Sequence, residues 1–261
     1  MKAPEGRVNA SEGREDAPGG RVSLLDVRGL AKRFGGLQAV QDVSFAVDEG
    51  EVVGLIGPNG AGKTTVFGLV SGFLPPDAGE ITFRGRSIRG LPPHAINALG
   101  LARTFQIMRP FPRLSVVRNV MIGALGRHAH PADAEARARA VLEDVELSAK
   151  AALPAGGLTL AERKRLELAR ALATEPRLLL LDEVMSGLNA TETERIVALV
   201  RAINTRGIAI LLIEHVMRAV MSLAGRIVVL NYGEKIAEGR PEAVANDRRV
   251  IEAYVGEEPD A

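Results

Sequence analysis

Gly57-Pro58-Asn59-Gly60-Ala61-Gly62-Lys63-Thr64 is the stretch on which the reading of this chain turns. It has the spacing Gly-x4-Gly-Lys-Thr. An apolar run over 51–56 ends at it, and 64–71 continues as a helix. Strand, glycine loop and helix in that order form a phosphate cradle. Each residue type has a reason to be there. The glycines let backbone N–H groups turn inward into a concave anion nest. The helix that follows adds unpaired N–H groups and its positive end. Lys63 reaches the β- and γ-phosphates, and the Thr64 hydroxyl is suited to Mg²⁺.

A second apolar strand, Leu178-Leu179-Leu180-Leu181, ends in Asp182-Glu183. Ligands of open α/β sheets bind beyond the C-terminal ends of strands. Asp182 is therefore placed to hold Mg²⁺ through water, since the ion keeps much of its hydration. Glu183 is placed to orient the attacking water. Two more polar residues follow apolar segments in the same way. Gln106 follows Leu101-Ala102-Arg103-Thr104-Phe105 and is a metal ligand or γ-phosphate sensor. His215 follows the strand over 208–213 and is a hydrogen-bond donor to that phosphate. The remaining histidines, His94, His128 and His130, lie in Pro/Gly-rich loops. The His-x-His pair at 128 and 130 is expected to have no carboxylate neighbour, so it reads as surface rather than metal site.

Outward from these motifs, alternation in Val43-Ser44-Phe45-Ala46-Val47 predicts a half-buried antiparallel strand. Residues 81–83 and the turn Arg84-Gly85-Arg86 suggest another strand pair. A section over 107–157, punctuated by Pro110, Pro112 and Pro131, carries helical spacing at 116–125 and 134–147 and reads as a helical insert. Helices at 161–173 and 192–206 then alternate with strands at 177–181, 208–213 and 225–230, and a hairpin over 233–238 follows. The fold class is thus α/β: a phosphate-loop NTPase core with a mostly parallel sheet, an antiparallel β subdomain and an inserted α-helical subdomain. Residues 1–21, rich in Gly, Pro, Glu and Arg, and 257–261 are expected to be tails around a domain spanning 22–256.

The 261 residues carry 33 Lys+Arg against 32 Asp+Glu, so charge gives no reason to expect a nucleic-acid partner. There is no cysteine, which removes thiol nucleophiles, thiolate metal sites and disulfides. No apolar run approaches the ~18–20 residues that cross a bilayer, so a membrane role would have to come through a partner.

Taken together, Gly57 through Thr65, Gln106, Leu178 through Glu183 and His215 resemble the nucleotide-binding subunit of ABC transporters. The resemblance covers nearly the whole of 24–256. It implies an ATPase that uses ATP and Mg²⁺ and sits peripherally on the cytoplasmic face of the inner membrane. It implies a head-to-tail pair with a second ATPase subunit around two nucleotides, transmembrane permease subunits and, indirectly, an extracytoplasmic solute-binding protein. Gly57, Pro58, Asn59, Gly60, Ala61, Gly62, Lys63, Thr64 and Thr65 then hold the phosphates, and Phe34 stacks on adenine. Ser186-Gly187-Leu188-Asn189 matches the loop that crosses the dimer, with Asn in place of the usual Asp.

The family's Leu-Ser-Gly-Gly-Gln signature is here Leu158-Thr159-Leu160-Ala161-Glu162. Thr159 keeps a hydroxyl for the partner's nucleotide and, with Glu162, spells a helix capping box. This variant signature, Glu183-Val184-Met185-Ser186-Gly187-Leu188-Asn189 and Arg103-Thr104-Phe105-Gln106 look like the branched-chain amino-acid import subgroup. Urea-import and lipopolysaccharide-export ATPases are close in pattern. The segment over 107–125, with Pro110-Phe111-Pro112, is expected to form the groove for a permease helix. A soluble ATP switch and a small-molecule kinase are the other readings, disfavoured by the single phosphate loop and by Gln106, His215 and the Thr159 segment.

Overall fold

The computed structural model describes residues 23–105 and 110–255. Gln106 and both expected tails lie outside them. The centre is a six-stranded sheet in the order β10-β9-β3-β8-β7-β6. Its strands are β3 (Val52–Ile56), β6 (Leu101–Arg103), β7 (Leu178–Asp182), β8 (Ala209–Ile213), β9 (Arg226–Asn231) and β10 (Glu234–Gly239). All pairings are parallel except that of β10, which folds back on β9 as a hairpin.

Strands β3 and β8, and the runs 178–181 of β7 and 227–230 of β9, carry no polar side chain because both faces of the sheet are covered there. Val52, Ile56, Leu179, Leu181, Ile210 and Leu212 join one core, whereas Val53, Leu55, Leu178, Leu180, Leu211 and Ile213 join the other. The second core is closed by an antiparallel sheet in the order β2-β1-β4-β5, formed by β1 (Leu25–Phe34), β2 (Leu37–Val47), β4 (Ala78–Phe83) and β5 (Arg86–Ser87). Val43, Phe45 and Val47 are buried there, as the alternation predicts. Helix α1 (Lys63–Val70) and Ile96 of α2 (Pro93–Leu99) complete that side.

The first core is covered by α3 (Val116–Ala124), α4 (Pro131–Asp144), α5 (Leu160–Leu172), α6 (Ala190–Asn204) and α7 (Met217–Leu223). The short helices α8 (Pro241–Ala245) and α9 (Arg248–Val255) follow β10. Helix α4 starts and ends three residues earlier than its apolar spacing suggests. Pro131 occupies the first turn, where its fixed φ favours helix. Glu146, at φ 56°, takes the chain out of helical geometry just beyond. Helices α2 and α8 also begin at prolines.

Ahead of α3, the buried Asn119 holds the 111–115 turn together. Its Oδ1 accepts from the Phe111 N–H at 2.8 Å, and its Nδ2 donates to the Phe111 and Ser115 carbonyls at 3.1 and 3.0 Å.

Strand register brings the key residues to one edge. Gly54 pairs with Leu212, Asp182 with Ile213 and Arg103 with Leu180. The phosphate loop after β3, the acids ending β7 and His215 beyond β8 therefore leave the sheet side by side. The loop itself is boxed in by backbone. Gly62 has φ 99°, and a Cβ there would lie 2.4 Å from the Ala39 carbonyl oxygen. Gly60 has φ 77° but open space around it. In chemical denaturation Gly62→Ala is expected to cost about 2 kcal/mol or more. Gly60→Ala should cost only the left-handed backbone strain of about 1 kcal/mol. Equal losses would mean that the Ala39 contact does not constrain the loop.

Candidate active site

The loop from Gly57 to Gly62 is fastened from behind. The Ala61 N–H donates to the Pro58 carbonyl, Gly233 N–H donates to the Ala61 carbonyl, and Gln41 N–H donates to the Gly233 carbonyl, at 3.2, 3.2 and 2.8 Å. Helix α1 begins at Lys63 without a side-chain cap, so its first N–H groups and positive end point into the loop. The buried Lys63 ammonium donates to the Gly57 and Pro58 carbonyls at 2.6 and 2.8 Å. Burial lowers its pKa, while Glu183 and Asp182 pull it back up. A backbone nest, a helix start and a fixed cation thus converge on one point, the requirement for holding phosphate.

Phe34, Asn59, Thr64, Thr65, Glu183 and His215 line one cavity with this loop. Phe34, at the end of β1, keeps 45% of its surface exposed, with the Lys32 ammonium 5.6 Å from its ring centre. Tyr232, from the β9–β10 turn, lines the same cavity and is 78% exposed. The sequence reading did not single it out.

Glu183 takes φ 50°, a left-handed backbone that a non-glycine residue adopts at a cost. Its N–H donates to the Ile213 carbonyl at 2.9 Å, and its Oε1 meets His215 Nε2 at 2.8 Å. The residue expected to orient the water and the histidine expected at the γ-phosphate are therefore in direct contact.

Asp182 is almost completely buried. Its Oδ2 pairs with Arg103 Nη2 at 2.8 Å, and its Oδ1 is buried without a hydrogen-bond partner. An orphaned carboxylate oxygen in the same cleft as the Thr64 hydroxyl is an all-oxygen donor set, which fits a hard divalent cation such as Mg²⁺. Arg103 was quoted from sequence only as part of a motif. Its guanidinium also donates to Ser71 Oγ and stands 5.6–5.8 Å from the rings of Phe67, Phe73 and Phe105. The sequence signal was a lone Arg at the end of an apolar strand.

Glu214, beside His215, also escaped the sequence reading. It is buried, and its Oε1 accepts the Met185 N–H at 2.8 Å. Burial raises its pKa to about 7, against the opposing pull of that hydrogen bond and of Lys164.

Thr159 stands apart from this cavity. It caps α5, accepting from the Glu162 N–H at 3.4 Å, while the Glu162 carboxylate accepts from the Thr159 N–H at 3.0 Å. The capping box read from sequence is therefore formed, on an exposed helix start. Asn189 forms a second one with Glu192, so its amide oxygen serves its own helix α6. One sequence inference needs correction. His128 does have a carboxylate neighbour, Glu175 at 3.3 Å, brought close by the fold. Among the described residues, however, no group of three or more His, Cys, Asp or Glu is placed to hold a metal.

The profile of the ABC transporter family matches residues 40–186, and that of the branched-chain amino acid ATP-binding cassette transporter matches 234–260. The high-affinity branched-chain amino acid transport ATP-binding protein BraF of Pseudomonas aeruginosa is 42% identical over 251 residues, covering 90% of this chain and 98% of the relative. LivG of Salmonella typhimurium, with the same description, is 43% identical over 250 residues, with 90% and 98% covered. A crystal structure of the ADP conformation of an ATP-binding cassette of an ABC transporter superposes with a TM-score of 0.83 at 31% identity, covering 90% of this chain and all of that one.

The buried Glu214 gives stability a definite pH dependence. Its folded pKa, about 7, exceeds the ordinary 4.5, so the folded chain holds this proton more tightly than the unfolded chain. On its account stability falls as pH rises from about 4.5 through 7. Glu214→Gln keeps an acceptor for the Met185 N–H and removes the titration. The variant should gain thermal midpoint over the parent at pH 8 and much less at pH 5; an equal gain at both would contradict the assignment.

Proposed function

The chain belongs to the ABC transporter ATP-binding family, and on that footing we propose that it powers import of branched-chain amino acids or related small polar solutes. As a member it is an ATP-hydrolysing subunit of a membrane transporter. Among the described residues no helix is long and apolar enough to cross a membrane. The chain works from the cytoplasmic face of the inner membrane, held there by permease subunits. The observation that carries the site assignment is the meeting of the Lys63 loop, the buried, unpartnered oxygen of Asp182 and the Glu183–His215 pair at one sheet edge. The solute class rests on the relatives and on the match over 234–260.

In this reading the loop amides and Lys63 bind the β- and γ-phosphates, and Phe34 stacks on the adenine. Thr64, Asp182 and Gln106 would hold Mg²⁺, which when bound neutralises charge developing on the phosphates. Glu183 Oε1 orients the attacking water and draws its proton, and His215 Nε2 keeps that carboxylate aimed. A second ATPase subunit places its Thr159 helix start against the γ-phosphate, because a capped helix N-terminus on an exposed surface still points positive potential at an anion.

The cleft lined by Phe105, Ile122, Gly123 and Arg170 reaches Thr64 and Asp182. A permease helix seated there would bear on the site directly, and closure would pass to the permease as a rigid-body movement. A solute-binding protein outside the membrane would deliver the amino acid to that permease.

Glu183→Gln should keep ATP affinity, read by calorimetry, and lose turnover by about 10²-fold or more. Lys63→Ala should weaken ATP binding by about tenfold or more. Parent-like hydrolysis in Glu183→Gln removes Glu183 from its role. Vesicles with the assembled transporter should accumulate leucine or valine in an ATP-dependent manner; accumulation of urea alone would reassign the solute.

A further inference from the structure

We propose that Lys164 is a positioning residue that holds Glu183 in its working conformation from helix α5. The inference rests on the reading of Glu183 as the residue that orients water. Lys164 is 5% exposed, and its ammonium donates to the Glu183 carbonyl oxygen at 2.7 Å. That carbonyl belongs to a residue at φ 50°, where the chain alone gives little reason to stay. The backbone here is also held by the Glu183 N–H, which donates to the Ile213 carbonyl at 2.9 Å, and by the Ser186 N–H, which donates to the same Glu183 carbonyl at 3.3 Å.

The ammonium is the shortest and the only charged donor among these backbone contacts, and charge-assisted hydrogen bonds are roughly twice as strong as neutral ones. A buried cation also needs compensation. Glu214 and then Glu183 and Asp182 supply the negative field around it, and Glu214 in turn accepts the Met185 N–H. Lys164 and Glu214 thus grip the same turn, 183–186, from two elements. Without the ammonium the peptide can relax toward a right-handed conformation. The carboxylate would then swing away from His215 while the phosphate loop stays as it is.

Lys164 stands on the helix that Thr159 caps. One helix therefore supports the chain's own water-orienting residue and presents the surface proposed to face a partner's nucleotide.

The test compares Lys164→Met and Lys164→Arg with the parent in the full-length chain. In the nucleotide-free chain, amide hydrogen exchange at Glu183 and Ser186 should quicken about tenfold or more in Lys164→Met and return toward the parent value in Lys164→Arg. In ATP hydrolysis, kcat should fall about 10- to 100-fold in Lys164→Met with ATP affinity within about twofold, and Lys164→Arg should recover most of it. Should Lys164→Met fail to fold, the double variant Lys164→Met/Glu214→Gln, which leaves neither charge buried alone, is read in its place.

Parent-like exchange at both amides, or parent-like kcat in an active chain, overturns the proposal. So does a fall in kcat and affinity together with the thermal midpoint, which would mark a merely structural lysine. A parent chain that lacks hydrolysis, or a Glu183→Gln variant that retains it, would instead overturn the reading of Glu183 and leave the exchange result to decide whether Lys164 holds the turn.

Discussion

Because β3, β7, β8 and β9 bury alternate residues in two different cores, a slip of one residue between any neighbouring pair would exchange those cores wholesale. Register is therefore fixed by hydrophobic burial on both faces, not by the strands' hydrogen bonds alone. Everything at the site inherits that constraint. Asp182 lies across from Ile213, and Gly54 across from Leu212. The loop after β3 and the residues beyond β7 and β8 must then emerge together, with a cation, two carboxylates and an imidazole within one cavity or its neighbour.

Charges at this edge are paired in a way that keeps each one usable. Asp182 shares one oxygen with Arg103 and leaves the other without a partner. Glu183 meets His215, an exposed and adaptable group. Glu214 lies in the field of Lys164, which is itself bound to backbone. A buried carboxylate with no compensation would protonate or unfold its surroundings. Three acids under one sheet edge are thus sustained by three different partners, drawn from β6, the loop after β8 and α5. The desolvated setting also strengthens whatever electrostatic work they do, since fields act over a lower dielectric there than in water.

The sequence was most legible where chemistry is local. The phosphate loop, the Asp182-Glu183 pair and the Thr159–Glu162 capping box each lie within a few consecutive residues, and the spacing itself is the signal. Strands buried on both faces were legible as apolar runs. What was missed depends on contacts between distant segments: Arg103 meets Asp182 across 79 residues, and Glu214 meets Met185 across 29. Nothing in the neighbourhood of Lys164, a basic residue in a basic helix start, distinguishes it from a solvated side chain until α5 packs over the 183–186 turn. A helix limit failed where Pro131 was read as punctuation although it opened α4. His128 gained its carboxylate neighbour only through the fold.

The account depends on a triphosphate lying between the loop around Lys63 in one copy and the Thr159 helix start of another. The most direct measurement is an experimental structure of the Glu183→Gln chain loaded with Mg-ATP. The account requires phosphates in the nest above Lys63, the metal beside Thr64 and the free oxygen of Asp182, and a second subunit's α5 N-terminus against the terminal phosphate. ATP bound to a lone subunit, or a paired subunit whose Thr159 lies far from the nucleotide, would contradict it.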